Sequence, residues 1–230
     1  MERAALVTGG SSGIGLAIAR VLREEGIELT LVSRRAEKVE AAAAELGGHA
    51  VVANVADADA CARAVAEHRD RFGRLDVLVN SAGVGVGGRF EDLPVKHLDL
   101  QLDVNLRGLF LVTQAAIPLL RESRGWIVNL ASIAGTLPTP SLATYGATKA
   151  AVIALTRSLN AELDADGVRA IALCPGFVDT AMGQWSGLEG EEMIQPEDCA
   201  EVVRMCLRLG PTVRIPQVVL ERMGSVHGDA

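Results

Sequence analysis

Tyr145 and Lys149 stand four apart in the run Y-G-A-T-K, with Ser132 upstream of them in the same stretch. On a helix, residues i and i+4 share one face, so the Lys149 ammonium can sit beside the Tyr145 phenol. A free tyrosine has a pKa of about 10 and transfers protons poorly at neutral pH. Moving it to roughly 7 takes on the order of 4 kcal/mol in favour of phenolate, and a neighbouring ammonium can supply a large part of that. The residues between Ser132 and Tyr145 carry Gly135, Pro138 and Pro140 and cannot be helical, so Ser132 is expected at the end of the preceding strand. Taken alone, Y-x-x-x-K is also what an ordinary exposed helix presents.

The elements that must position these groups begin at the N-terminus. Ala4–Thr8 is a short apolar run that ends in TGGSSGIG, and LAIARVLREEG follows with Leu16, Ala19, Val21 and Leu22 able to form an inward face. Strand, glycine turn and helix form the context in which a dinucleotide fingerprint carries meaning. Gly9 permits the tight turn, Gly13 lets the backbone approach a pyrophosphate, and Gly15 lets helix and sheet pack closely. A diphosphate there meets free N–H groups and the positive end of the helix dipole.

A second strand, Glu28–Val32, ends in Ser33-Arg34-Arg35. A site for NAD commonly places a carboxylate here for the ribose 2′-hydroxyl. A hydroxyl and two guanidinium groups suit a 2′-phosphate instead, with Arg34 able to pair bidentately, so NADP(H) is expected over NAD(H). The same residues also read as a solvated basic helix start. Helices over Ala36–Leu46, from Asp57 to about Phe72, from Pro94 past Asn105 and Pro118, over Ala143–Asp164 and over Pro196–Leu209 alternate with strands at His49–Ala53, Val77–Val79, Trp126–Leu130, Arg169–Cys174 and Gln217–Leu220. Pro118 suggests a kink or a terminal turn. This alternation predicts a single α/β domain over residues 1–230, a Rossmann-type doubly wound, parallel, seven-stranded sheet with helices on both faces and ligands at the carboxyl ends of its strands. Residues 181–195, rich in Gly and acids, read either as a mobile lid or as a disordered acidic loop.

Composition narrows the function classes. Hydrophobic residues make up 49% of the 230 and charged ones 22%, which argues for a folded chain with a full core. A net charge of −7 disfavours a nucleic-acid or anionic-membrane partner. The N-terminus enters a strand almost at once, and no apolar run approaches the roughly 20 residues of a membrane span. Cys61, Cys174, Cys199 and Cys206 form no CxxC pair and no cluster with metal-ligand spacing, so they read as reduced packing thiols in a cytoplasmic protein that binds no metal.

The ordered set TGGSSGIG, NSAG, Asn105, Ser132, Y-G-A-T-K and PGFVDT resembles the short-chain dehydrogenase/reductase family over nearly the whole chain, to about Leu209. The resemblance implies a catalytic set of Asn105, Ser132, Tyr145 and Lys149, and hydride transfer between nicotinamide C4 and a carbonyl or alcohol carbon. Tyr145 would be the proton donor, Ser132 would hold the carbonyl oxygen, Lys149 would lower the tyrosine pKa and grip the nicotinamide ribose, and Asn105 would hold a water on the proton path. It further implies that Gly9, Ser12, Gly13, Ile14 and Gly15 meet the phosphates and that Asn54 and Val55 flank adenine. Asn80, Ala82 and Gly83 would pass behind the riboses, and Pro175, Gly176, Val178 and Thr180 would hold the carboxamide side. Two departures bear on the cofactor. Asn54 stands where an Asp is common, and Ser11 and Ser12 stand where NADP-preferring members often carry a basic residue, which leaves Ser33, Arg34 and Arg35 to read a 2′-phosphate. The C-terminal run is similar to a branch of hydroxy-acid and carbonyl reductases. A homodimer through the helices bearing Asn105 and Tyr145, or a homotetramer, is the implied assembly.

Val84, Val86, Ile133, Leu137, Phe177, Met182 and Trp185 are candidate pocket walls, and residues 181–195 offer no Arg or Lys to hold a carboxylate or phosphopantetheine, although Arg89 could approach from the earlier loop. The expected substrate is therefore a neutral or weakly polar carbonyl or secondary alcohol. Two rivals use the same fold: an idle nucleotide sensor, which has no need of a proton donor, and a sugar-nucleotide epimerase, which needs a larger C-terminal domain.

Overall fold

Strand and helix alternate along the chain in the computed structural model, which describes residues 2–224 with the Trp185 side chain excepted. The strands are β1 (Ala4–Thr8), β2 (Glu28–Ser33), β3 (His49–Val52), β4 (Val77–Asn80), β5 (Trp126–Leu130), β6 (Arg169–Pro175) and β7 (Gln217–Leu220). Between them lie α1 (Gly13–Glu24), α2 (Ala36–Leu46), α3 (Ala58–Phe72), α4 (Val95–Gln101), α5 (Leu109–Ser123), α6 (Ala143–Glu162) and α7 (Pro196–Leu207). All seven strands pair in parallel, in the order β3-β2-β1-β4-β5-β6-β7. The order reverses between β1 and β4, where the connections leave to opposite faces and open a crevice at the carboxyl edge.

Period-two alternation sorts the strand residues between two cores. Ala5, Val7, Leu29, Leu31, Val128 and Leu130 join the cluster under α1, α2 and α7, whereas Leu6, Leu78, Ile127 and Ala170 join the one under α3, α5 and α6. A sheet covered on both faces needs apolar residues at successive positions, which is why β1 and β5 are buried throughout. Asp57 caps α3, its carboxylate accepting from the Ala60 N–H at 3.1 Å. His68 on α3 is fully buried and bonds Thr30 Oγ1 at 2.8 Å and the Arg74 carbonyl at 2.9 Å, which ties β2 and α3 to the approach to β4. Burial lowers its pKa to about 4, so the imidazole is neutral.

Three features depart from the sequence reading. The helix expected from Pro94 past Asn105 is not continuous: α4 passes at Leu102 into a π-helical segment, Leu102–Gly108, before α5 begins. There Gly108 runs so close to the turn after β3 that a Cβ would lie 2.7 Å from the Val55 carbonyl oxygen. Pro118 does not end α5, which continues to Ser123 and stops where Arg124 turns left-handed at φ 53°. Residues 181–195 contain two 3₁₀ turns, Gly183–Ser186 and Gly190–Glu192, and a bridge in which the Ile194 N–H donates to the Phe177 carbonyl and the Asp179 N–H to the Ile194 carbonyl, both at 2.9 Å. Met193 and Ile194 are buried by this fold, so the segment is not a structureless acidic loop. Elsewhere element ends move by one or two residues.

Candidate active site

Tyr145 and Lys149 lie on the first turns of α6, and Ser132 follows β5 directly. The chain leaves Ser132 in a 3₁₀ turn, Ile133–Gly135, pressed onto α6. Two glycines make that approach possible: a Cβ on Gly135 would lie 2.7 Å from the Lys149 carbonyl carbon, and one on Gly146 would lie 2.6 Å from the Ala134 carbonyl oxygen. Ser132 Oγ accepts from the Ala134 N–H at 3.2 Å and faces the Pro175 carbonyl at 3.5 Å, so one turn fixes its direction. Its hydroxyl also bonds the Tyr145 phenol.

The Lys149 ammonium is buried, 5% exposed, and donates to the Leu130 carbonyl at 2.6 Å. Desolvation lowers its pKa to about 8, opposed by the charge interaction with Cys174. The ammonium sits 5.6 Å from the centre of the Tyr145 ring. The expected downward shift of the tyrosine is not what these surroundings produce: burial raises the phenol above its ordinary value, and only the Ser132 bond opposes it. The lysine charge is directed at a strand-end carbonyl and does not offset the desolvation. Tyr145 is thereby held as a neutral phenol, the form that can donate a proton.

Asn105 is 1% exposed, and its amide is fully engaged. Its oxygen accepts from the Val84 N–H at 2.8 Å, while its nitrogen donates to the Val84 carbonyl at 2.9 Å and to Thr148 Oγ1 at 3.1 Å. The side chain of this residue clamps the loop after β4 to α6. One turn earlier Gln101 repeats the motif, accepting from the Val86 N–H at 3.2 Å and donating to Thr144 Oγ1 at 2.9 Å.

These groups form one wall of a cleft of about 490 Å³ that runs along the carboxyl edge of the sheet. Gly9, Ser12, Gly13, Ile14, Ser33, Arg34, Arg35, Asn54, Val55, Ala82 and Gly83 line it, as do Pro175, Gly176, Val178 and Thr180. Three expected residues do not. Gly15 lies beneath the turn, where a Cβ would meet the Gly9 carbonyl oxygen at 2.5 Å. Asn80 points into the sheet, donating to Thr113 Oγ1 at 3.0 Å and Asn129 Oδ1 at 2.9 Å, because its side chain falls on the α5–α6 face. Asn105 is the third. Among the candidate walls, Val84, Ile133, Phe177 and Met182 line the cleft; Val86 and Leu137 do not, and the Trp185 side chain lies outside what the structure describes.

The cleft suits a dinucleotide on its own geometry. No acidic residue occupies the first turn of α1, and the N-cap Ser12 makes no side-chain cap, which leaves the first N–H groups to an incoming anion. A Cβ on Gly9 would come within 2.8 Å of the Ala82 nitrogen, and one on Gly13 within 3.0 Å of Thr180 Cγ2, so the turn admits only bare backbone. No Asp or Glu is among the described lining residues, although the chain has 29 of them.

Residues 3–189 match the family profile described as short chain dehydrogenase. The chain belongs to the short-chain dehydrogenase family. An uncharacterized oxidoreductase of Staphylococcus epidermidis is 37% identical over 95% of this chain and 96% of its own length. Among solved structures, an alcohol dehydrogenase from the archaeon Thermococcus sibiricus, complexed with 5-hydroxy-NADP, superposes with a TM-score of 0.91 at 31% identity, covering 97% of this chain and 98% of that one. A 3-ketoacyl-(acyl-carrier-protein) reductase from Brucella melitensis, complexed with NADH, superposes with a TM-score of 0.87 at 29% identity, covering 95% of each chain. This short-chain dehydrogenase is thus an oxidoreductase of a family with nicotinamide-binding members. Several of its lining residues were not among the expected site residues. Ser11 and Ser81 lie inside the motifs TGGSSGIG and NSAG without having been assigned a contact, Thr139 lies in the loop before α6, and Arg222 follows β7.

Proposed function

We propose that this short-chain dehydrogenase uses NADP(H) to interconvert a carbonyl and a secondary alcohol, with Tyr145 as the general acid and base. The observation that carries the reading is the joint placement of Ser132, Tyr145 and Lys149 on the wall of a cleft whose far side is the glycine turn and Arg34. When bound, the nicotinamide supplies the hydride in reduction and accepts it in oxidation. The protein does the rest. Ser132 and Tyr145 present two hydroxyl groups to the substrate oxygen and orient it. In reduction the Tyr145 phenol gives its proton to the oxygen that becomes negative as hydride arrives. Lys149, protonated near neutral pH with a pKa of about 8, favours the phenolate left behind and can return a proton to it. Asn105 and Gln101 hold the Val84–Val86 backbone across from Tyr145, a positioning role. Arg34 and Arg35, without a carboxylate beside them in the described lining, support a 2′-phosphate over a bare ribose. Residues 181–195 act as a lid, and the exposed apolar side chains of Leu100, Leu102 and Phe110 along α4–α5 support self-association through that face.

A panel of carbonyls and alcohols followed at the nicotinamide absorbance, with both cofactors, tests the reading. Tyr145→Phe should cut kcat by roughly 10²–10⁴-fold and leave the NADPH dissociation constant within about twofold. Turnover at the wild-type rate in that variant would rule out the phenol as the acid.

A further inference from the structure

The segment that joins Ser132 to α6 carries a polar group used neither by the hydride-transfer set nor by the nucleotide side. Thr139 is half-buried and lines the cleft, a few residues before Tyr145. Its backbone is fixed from both directions. Pro138 and Pro140 flank it, and a residue ahead of a proline is confined to extended conformations. Upstream the Leu137 N–H donates to the Ile133 carbonyl at 3.0 Å, and downstream the Leu142 N–H donates to the Thr139 carbonyl at 3.1 Å. Inside that second turn Ser141 sits in the left-handed region at φ 62°, a strained place for a residue with a side chain. Its carbonyl accepts from the Gly88 N–H at 2.8 Å, so the strain is held against the same loop that Asn105 and Gln101 clamp. A segment locked in this way aims one hydroxyl at the reacting end of the cleft.

We infer that Thr139 Oγ1 accepts a hydrogen bond from a second hydroxyl of the substrate, so that the preferred substrates are short, neutral hydroxy ketones and the diols they become. This rests on the hydride-transfer reading above and names the substrate class for it. A threonine hydroxyl has one donor and two acceptor positions. The Thr139 proton goes to the Leu137 carbonyl at 3.3 Å, and among the described residues no group donates to its oxygen. Thr180, the other threonine among the described lining residues, is committed in both senses, donating to the Val178 carbonyl at 3.4 Å and accepting from the Gly183 N–H at 3.3 Å. A free acceptor selects a donor, and a carboxylate offers none. An ammonium would share the cleft with the Lys149 cation, with no Asp or Glu among the described lining residues to balance the two. A hydroxyl meets both conditions: it donates, and it is neutral. The second hydroxyl is bound and is not consumed by the reaction.

Hydroxyacetone against 2-butanone, and 4-hydroxy-2-butanone against 2-pentanone, differ within each pair by a hydroxyl in place of a methyl group. Assayed with NADPH on wild type, Thr139→Val and Thr139→Ser, they test the site. In at least one pair wild type should favour the hydroxy ketone by about fivefold or more in kcat/KM. Thr139→Val, of nearly the same shape, should cut that ratio by about fivefold, mainly through the KM of the hydroxy ketone, and Thr139→Ser should restore most of it. A ratio unchanged by Thr139→Val, or equal losses for both members of a pair, would reduce the hydroxyl to a part of its own turn and overturn the assignment. Pyruvate used better than hydroxyacetone, with the advantage lost in Thr139→Val, would overturn it too, by making the threonine a donor to an acid. Saturation-transfer NMR of hydroxyacetone with protein and NADP⁺ separates this from failure of the parent reading. Binding that Thr139→Val abolishes, with no turnover of any carbonyl, keeps the site and sinks the chemistry. Turnover of plain ketones with no advantage for the hydroxy ketone in either pair keeps the chemistry and sinks the site, as does binding that the variant leaves intact or no binding at all.

Discussion

Lys149 is an expensive residue to bury, and the expense is legible in its pH behaviour. Its pKa falls from 10.5 to about 8 because the ammonium loses water and gains one carbonyl. Between those values the unfolded chain binds more proton than the folded one, so stability rises with pH through that window and is lowest below about 8. A shift of this size corresponds to roughly 3 kcal/mol, against about 1–3 kcal/mol for leaving the Leu130 carbonyl unpaired. Lys149→Met should therefore match or exceed wild type in thermal stability at pH 7 while losing at least about a hundredfold in kcat. Calorimetry at pH 7 and pH 9.5 checks this: the advantage of the variant should shrink at the higher pH. A variant several degrees less stable than wild type at pH 7 would show that the lysine is there for the fold.

At the scale of elements, the reacting groups are held by contacts in which a single methyl group decides the distance. Gly146 lets the Ser132 turn rest on α6, with 2.6 Å between its absent Cβ and the Ala134 carbonyl oxygen. Gly146→Ala must push that turn off the helix, which separates Ser132 from Tyr145, and kcat/KM should fall by about tenfold or more. Gly26→Ala is the comparison. It strains a turn at φ 71° where nothing lies within 4 Å, so stability should fall by about 1 kcal/mol while kcat/KM stays within about twofold. Equal kcat/KM losses in both would mean the close approach has no bearing on the site. Sequence reasoning reached the strands and most helix limits because buried parallel strands and amphipathic helices leave strong periodic signals. It missed the π-helical segment at Leu102–Gly108, which keeps the apolar spacing of an ordinary helix and differs only in backbone hydrogen bonding. It placed Asn80 at the cleft because the motif NSAG ends there, whereas strand alternation turns that side chain into the sheet, toward Thr113 and Asn129. The direction of the Tyr145 shift was also beyond it, since helical spacing brings the lysine near without saying which partner its ammonium meets.

For the molecule as a whole, the charge distribution is divided against itself. The chain carries a net charge of −7, yet the titratable groups among the described cleft residues are Arg34, Arg35, Tyr145, Lys149 and Arg222. Among the described residues no helix is long and apolar enough to cross a membrane, and no cluster of metal-ligating side chains occurs. An acidic body repels an incoming nucleotide at long range while the cleft attracts it at short range, and salt screens both. The Debye length of about 10 Å at 0.1 M ionic strength is longer than a contact and shorter than the sheet, so the attraction near Arg34 survives moderate salt better than the general repulsion does. Raising ionic strength should therefore leave the KM for NADH flat or slightly lower up to about 0.1 M. The KM for NADPH, whose extra phosphate meets exposed Arg34 and Arg35, should climb several-fold by about 0.5 M. Arg34→Ala should remove most of that climb and raise the low-salt KM for NADPH by roughly tenfold, with a change of less than about threefold for NADH. Parallel salt curves for the two nucleotides in wild type, or equal losses in the variant, would mean that the cations at the end of β2 do not distinguish them.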